Sequence, residues 1–275
     1  AAKMNLLAFA QLSLLFSWTF VHSMKVSLIR LMTGTREAIP LDMADQSVDD
    51  MYFGCSKKME TKVNNKFFEK ELKTNFSDIW KKAQTCAKRP TNNKLLTTNH
   101  RQAICVYTSD YKKFYQTFNS AVRNQRNAYG TSFLYHSLLF WLTDALKILN
   151  KEKECLTTYR RTDLAFTGDV GQLIRLGSFA STSKLSNKTR FGQKTCFKIR
   201  TCLGAYLEKL PALKDQEQEV LVPPYELFKI TEKDTTGKKI YDCETVYNLQ
   251  YAGVHSNLNC YTFNMSTIGQ VHPEL

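Results

Sequence analysis

Eight cysteines constrain this chain more than any other feature. Cys55, Cys86, Cys105, Cys155, Cys196, Cys202, Cys243 and Cys260 form no C-x-x-C pair. His100, His136, His255 and His272 show no zinc-ligand spacing, so no metal site is expected. An even set of this kind in an oxidising compartment implies up to four disulfides, and number alone leaves about 105 connectivities open. Sequons at Asn75, Asn187 and Asn264 fit the same compartment. So does the N-terminus, where the apolar stretch from Leu6 to Phe20 is short for a membrane span. It reads as the core of a secretory signal over residues 1–23, with Val21 and Ser23 as small residues before the cut and only Lys3 as its positive flank. No later segment approaches the ~18 apolar residues of a span. The C-terminal "NMSTIGQVHPEL" carries no hydrophobic anchor signal. A secreted monomer without a stable membrane span or lipid anchor is expected, with residues 24–275 as one domain.

Within that domain the pattern changes midway. "SVDDMYFGCSKKMETKVNNKFFEKELKTNFSDIWKKAQTCAKR" has apolar residues at helical spacing, broken near Asn75 and stopped at Pro90. A short strand or turn is expected at 103–107, followed by a helix. "TSFLYHSLLFWLTDALKILN" is the strongest helix, with Thr131 or Ser132 as N-cap and Phe133, Phe140 and Trp141 on its buried face. After Cys155 come short β-like runs: "CLTTYRRT", "LIRLGSFASTS", "KTCFKIRT", "EQEVLVPP", "YELFKITEK" and "KKIYDCETVYNLQ". Helices first and strands second predict an α+β fold, the helical N-terminal half packed on the strand-rich C-terminal half. The net charge of +13 favours anionic partners, but the basic residues are spread along the chain and no nucleic-acid motif appears. A solvated basic surface accounts for it, and no nucleic-acid partner is expected. Glycine-rich dinucleotide loops, P-loops, H-E-x-x-H and G-x-S-x-G are absent from the sequence.

Three short pieces remain: "YRRT" with Arg160, "SFASTS" with Ser181, and "EQE" with Glu217 and Glu219. Each is weak alone. If "EQEVLV" is extended, period two puts both carboxylates on one face, where they repel unless solvated or used. In this order, each beside a predicted strand, the pieces resemble the arginine–serine–glutamate motif of the arginine-specific mono-ADP-ribosyltransferases, the vertebrate ectoenzyme type. "LDMADQSVDDMYFGC", "LLFWLTDALKIL", "TCLGAYLEKL", "QEVLVPPYELFKI" and "HSNLNC" resemble further segments of that family in the same order.

The resemblance implies a split β-sandwich core and the transfer of ADP-ribose from NAD, or NADP, to protein arginines. NAD is then a cosubstrate, with no permanently bound cofactor. Arg160 would hold the phosphate and ribose on the nicotinamide side, its planar, permanently charged guanidinium suiting phosphate. Ser181 would position the glutamate and that ribose. Glu219 would hydrogen-bond the ribose 2′-hydroxyl and stabilise the oxocarbenium-like charge as nicotinamide leaves. Glu217 would orient the acceptor guanidinium and help remove its proton. "KLPALKD", 209–215, would meet the target protein. Phe191 either stacks near nicotinamide or packs in the core. The resemblance also suggests the disulfides Cys55–Cys260 and Cys155–Cys202. The other four cysteines are expected to pair as Cys86–Cys105, between helical neighbours, and Cys196–Cys243, between two β runs. One departure stands out: the family usually has glycine after the motif arginine, and here it is Arg161. A large charged side chain there would crowd the cleft or add a phosphate contact, and it puts NAD affinity in doubt. Two alternatives stay open, an NAD glycohydrolase with water as acceptor and a catalytically silent secreted binding protein on the same scaffold.

Overall fold

A computed structural model describes residues 38–151, 154–212, 216–236 and 242–263, so the signal segment and the sequon at Asn264 lie outside the described residues. After a two-residue strand β1 (Ile39–Pro40), helix α1 (Ser56–Lys62) runs through a π-helical segment, Val63–Phe67, into α2 (Phe68–Glu71). Then come α3 (Phe76–Ala87), α4 (Thr98–Tyr107), α5 (Phe114–Asn124) and α6 (His136–Leu149). Phe76, Ile79, Trp80, Ile104, Phe118, Leu139 and Trp141 from these helices meet in one core. Burying side chains of this size contributes about 1.5–3 kcal/mol each.

Two expectations need correction here. Residues 103–107 are neither strand nor turn but the C-terminal half of α4. Val, Ile and aromatic residues favour strands in general, yet this helix is buried on most sides, and burial overrides propensity. Its start is a capping box in which Thr97 accepts from the His100 N–H and the His100 imidazole accepts from the Thr97 N–H. Helix α6 begins at His136, so neither Thr131 nor Ser132 caps it. The His136 and Ser137 N–H groups instead donate to the buried carboxylate of Glu71, at 2.6 and 3.1 Å. A carboxylate at the positive helix end is favourable, and this one arrives from another helix.

The strands are β2 (Leu156–Thr162), β3 (Phe166–Thr167), β4 (Leu173–Arg175), β5 (Ala180–Ser183), β6 (Thr195–Thr201), β7 (Ala205–Tyr206), β8 (Glu219–Val222), β9 (Glu226–Asp234) and β10 (Thr245–Val254). Eight form one mixed sheet in the order β4-β9-β10-β6-β2-β5-β8-β7, while β1 pairs with β3. Among the described residues, the β6–β10 contact is the one parallel pairing in the large sheet. The sheet contributes to two cores. Phe179, Leu207 and Leu221 join the helical core, and Ile174, Phe197, Phe228, Ile230 and Tyr247 build a second one with Leu41. The α+β reading holds, helices on one side and strands following.

All four expected disulfides are present: Cys55–Cys260, Cys86–Cys105, Cys155–Cys202 and Cys196–Cys243. The irregular segment before Cys55 is tied to the segment before Cys260 by buried acids. Asp49 pairs with Arg175 and accepts the N–H groups of Asn257 and Leu258 at 3.0 Å. Asp50 accepts from Tyr129 Oη at 2.6 Å and from the Cys260 N–H at 3.0 Å. Buried carboxylates are tolerable when so many donors face them.

Candidate active site

Strand β5 carries Ser181, Thr182 and Ser183, and β8 opens with Glu219. Their antiparallel register sets Ser183 opposite Glu219 and Ser181 opposite Leu221. Alternation therefore brings Ser181, Ser183 and Glu219 to one face, Ser181 diagonal to Glu219. Each of the three hydroxyls holds the facing segment. Ser181 hydrogen-bonds the Glu219 carboxylate. Thr182 Oγ1 donates to the Val220 carbonyl at 2.7 Å, and Ser183 Oγ to the Glu217 carbonyl at 2.6 Å. "STS" and "EQEV" are thus two sides of one clamp.

Arg160, on β2, donates from Nη1 to the Ser181 carbonyl at 2.7 Å. Arg160, Ser181 and Glu219 are brought together. Glu219 is only 8% exposed. Burial pushes its carboxyl up to about 7, against the opposing pull of the Ser181 hydrogen bond and the Arg160 charge.

Three further residues complete this cluster. The Tyr107 phenol, at the end of α4, donates to the Phe179 carbonyl at 3.0 Å, accepts from Asn119 Nδ2 at 3.0 Å, and is hydrogen-bonded to Ser181. Arg123 of α5 donates to Ser178 Oγ at 2.8 Å and to the Leu176 carbonyl at 3.1 Å. Its charge is disfavoured first by partial removal from water and then by Arg160. Sequence reasoning missed Tyr107, Asn119 and Arg123. A tyrosine ending an apolar helix and an arginine in an amphipathic one carry no local signal.

Glu217 requires a correction. It lies in a turn before β8, and Gln218 adopts a left-handed backbone with φ +42°. Period two does not extend to it, so the two carboxylates are not neighbours on one strand face. The Glu217 side chain is 12% exposed, with Lys188 Nζ at 3.8 Å and the Arg190 guanidinium in direct contact. Both of its oxygens are buried without a hydrogen-bond donor. Lys188 also donates to the Gln216 carbonyl at 2.8 Å, lashing the turn to the loop after β5.

That loop ends in a 3-10 turn, Thr189–Phe191. Phe191 is 49% exposed, which removes the core-packing reading, and its ring lies 4.9 Å from the Arg190 guanidinium carbon. Arg161 also departs from expectation. Alternation along β2 sends it to the face opposite Arg160, where it is buried. Its Nε and Nη2 donate to the Ser186 carbonyl at 3.0 and 2.8 Å, and Nη1 lies 3.4 Å from Cys243 Sγ. It neither crowds the cleft nor offers itself to a phosphate. Of the "KLPALKD" segment, Leu210 is buried in the helical core, and Arg89 donates to the Pro211 and Ala212 carbonyls at 2.7 and 3.2 Å. Residues 213–215 lie outside the described residues.

Among the described residues, no three His, Cys, Asp or Glu side chains cluster as metal ligands would, and no helix is long and apolar enough to cross a membrane. A surface depression of about 450 Å³ beside α5, lined by Gln116, Ser120 and Leu134 among others, shares no residue with the cluster.

A family model described as NAD:arginine ADP-ribosyltransferase matches residues 41–242. Ecto-ADP-ribosyltransferase 4 of Mus musculus is 32% identical over 245 residues, 82% of this chain and 79% of that protein. The Homo sapiens protein of the same name is 36% identical over 211 residues, 70% of this chain and 65% of that one. Among solved structures, the eucaryotic mono-ADP-ribosyltransferase ART2.2 superposes with a TM-score of 0.67 at 28% identity, covering 81% of this chain and 98% of that chain. A variant of that enzyme has been solved in complex with NAD.

Proposed function

Because the chain belongs to the NAD:arginine ADP-ribosyltransferase family, we propose that it transfers ADP-ribose from NAD to arginine side chains of target proteins. The observation that carries this reading is the Arg160–Ser181–Glu219 cluster: a buried carboxylate held by a hydroxyl beside a guanidinium. The four disulfides and the ecto-enzyme relatives support an extracellular setting for the reaction.

In the proposed reaction the bond between nicotinamide nitrogen and ribose C1′ breaks, and nicotinamide leaves neutral with the bonding pair. A guanidinium nitrogen of the acceptor attacks C1′ and gives up one proton. The products are ADP-ribosyl-arginine, nicotinamide and a proton. Arg160, with Arg123 close by, supplies positive charge for the diphosphate. Ionised Glu219 accepts the ribose 2′-hydroxyl and stabilises the cationic C1′ as the bond breaks; a preorganised carboxylate of this kind is worth most where water is excluded. Ser181 holds Glu219 in place. The exposed Phe191 ring is available to stack on nicotinamide. Glu217 receives the acceptor guanidinium, whose proton must leave because the charged form is a poor nucleophile.

The test is one assay with labelled NAD and agmatine, scoring nicotinamide release and ADP-ribosyl-agmatine together. Glu219→Gln is expected to lose both signals at least about a hundredfold, the scale of one lost transition-state contact. Glu217→Gln is expected to lose transfer and keep nicotinamide release. Full activity in Glu219→Gln would refute its assigned role. A second reading, hydrolysis with water as acceptor, is favoured by one observation: Glu217 is already paired with Arg190 and Lys188.

A further inference from the structure

Arg190 places on Glu217 the same chemical group that an acceptor would bring. Its guanidinium touches the Glu217 carboxylate, whose two oxygens are buried and receive no hydrogen bond from any described group. Lys188 is the other cation nearby, but it stands 3.8 Å away and its ammonium also donates to the Gln216 carbonyl. Arg190 is therefore the principal counter-ion of Glu217. The same guanidinium stands 4.9 Å from the Phe191 ring, which stays 49% exposed, so one side chain adjoins both groups.

We propose that Arg190 is an internal occupant of the acceptor-facing carboxylate, and that it sets how readily an external guanidinium, rather than water, captures the ADP-ribosyl group. The inference rests on the reading of Glu217 as the acceptor carboxylate. An incoming guanidinium must displace Arg190 to reach Glu217. Water needs no such displacement, because it makes no ion pair with Glu217. The contact is exchangeable: the Arg190 side chain is 60% exposed and extends from a three-residue turn. The arginine end of the pair is the exposed one, so it can swing into water when a competing guanidinium takes its place on the buried carboxylate. Keeping the pair at rest also spares the chain a buried, unpartnered carboxylate. Arg190 is in this sense a specificity-determining residue and performs no chemistry.

The experiment separates binding from turnover. In a Glu219→Gln background, which silences the reaction, agmatine is titrated by NMR into proteins carrying Arg190, Arg190→Ala or Arg190→Lys. Arg190→Ala is expected to tighten agmatine binding by at least about threefold, more than a fully exposed pair would supply, because it leaves a buried carboxylate without its counter-ion. Arg190→Lys is expected to fall between. Adding Glu217→Gln is expected to weaken agmatine and erase the difference. With Glu219 restored, Arg190→Ala is expected to raise the ratio of ADP-ribosyl-agmatine to free ADP-ribose at subsaturating agmatine by a similar factor. Unchanged or weaker agmatine binding in Arg190→Ala, with Glu217→Gln still weakening it, overturns the Arg190 inference alone. Agmatine binding indifferent to Glu217→Gln overturns both this inference and the acceptor role beneath it. Because Arg190 is exposed, unaltered near-UV circular dichroism is expected in its variants.

Discussion

Glu219 has to be ionised to stabilise a developing cation, yet its burial holds the carboxyl up near pH 7. The kcat/KM for nicotinamide release is therefore expected to rise with pH through an apparent pKa near 7, since that ratio reports the free enzyme. Arg160 opposes the shift, so Arg160→Gln is expected to move the acid limb to higher pH as well as lowering the rate. A limb that stays in place in Arg160→Gln would show that the two charges do not couple. Stability follows the same proton with a definite sign. The folded state holds it more tightly than the unfolded state, whose carboxyl has its ordinary value of 4.5. The stabilisation is complete below that value and is lost as pH rises through about 7. Urea midpoints at pH 5 and pH 8 are expected to differ less in Glu219→Gln than in the parent protein. Arg160, Ser181 and Glu219 could be picked out in the chain through the resemblance of their order to the family's motif, which depends on residue type and order alone. Tyr107 and Asn119 were not, because their relation to Ser181 exists only once α4 and α5 dock on the sheet.

The loop after β5 shows how one element conditions another. Arg161 reaches it from the far face of β2 and holds Ser186 with two donors, while Lys188 holds it from the other end. Restoring the family's glycine by Arg161→Gly would not open the cleft. It would remove those donors and leave a hole beside Cys196–Cys243, at a cost of about 2 kcal/mol. A lower urea midpoint is expected, together with a raised KM for NAD from the loosened Phe191 loop. A lowered KM would mean that Arg161 does obstruct the site. Reading Arg161 as a cleft residue failed because adjacency along a strand is opposition across the sheet. The reverse error was made at Glu217: spacing implied one face, and the left-handed Gln218 broke the alternation before the strand began. At α4, "AICVY" carries strand-like residues, and its capping box uses His100 where a Glu or Gln would have signalled the start.

Across the whole molecule, the disulfides close loops of very different size. Cys55–Cys260 spans 205 residues and Cys86–Cys105 spans 19. In the chain-entropy account the first is worth roughly 5 kcal/mol and the second about 3 kcal/mol. Replacing both cysteines of Cys55–Cys260 by Ala is therefore expected to lower Tm more than the same change at Cys86–Cys105. The reverse order would mean that the buried carboxylates Asp49 and Asp50 already fasten the two ends of the fold without the bridge. The compartment, the α+β class and the residues of the cluster could all be read from the linear chain. The first two follow from cysteine number and from the local periodicities of helix and strand, and the cluster residues from the resemblance of their order to a family motif, none of which needs a neighbour from elsewhere in the fold. Which charge faces Glu217, which side of the sheet Arg161 occupies and what caps α6 were settled by the folded arrangement. Each of these is a contact between segments far apart in sequence, formed only when strand register and helix docking bring them together, and no local pattern encodes that outcome.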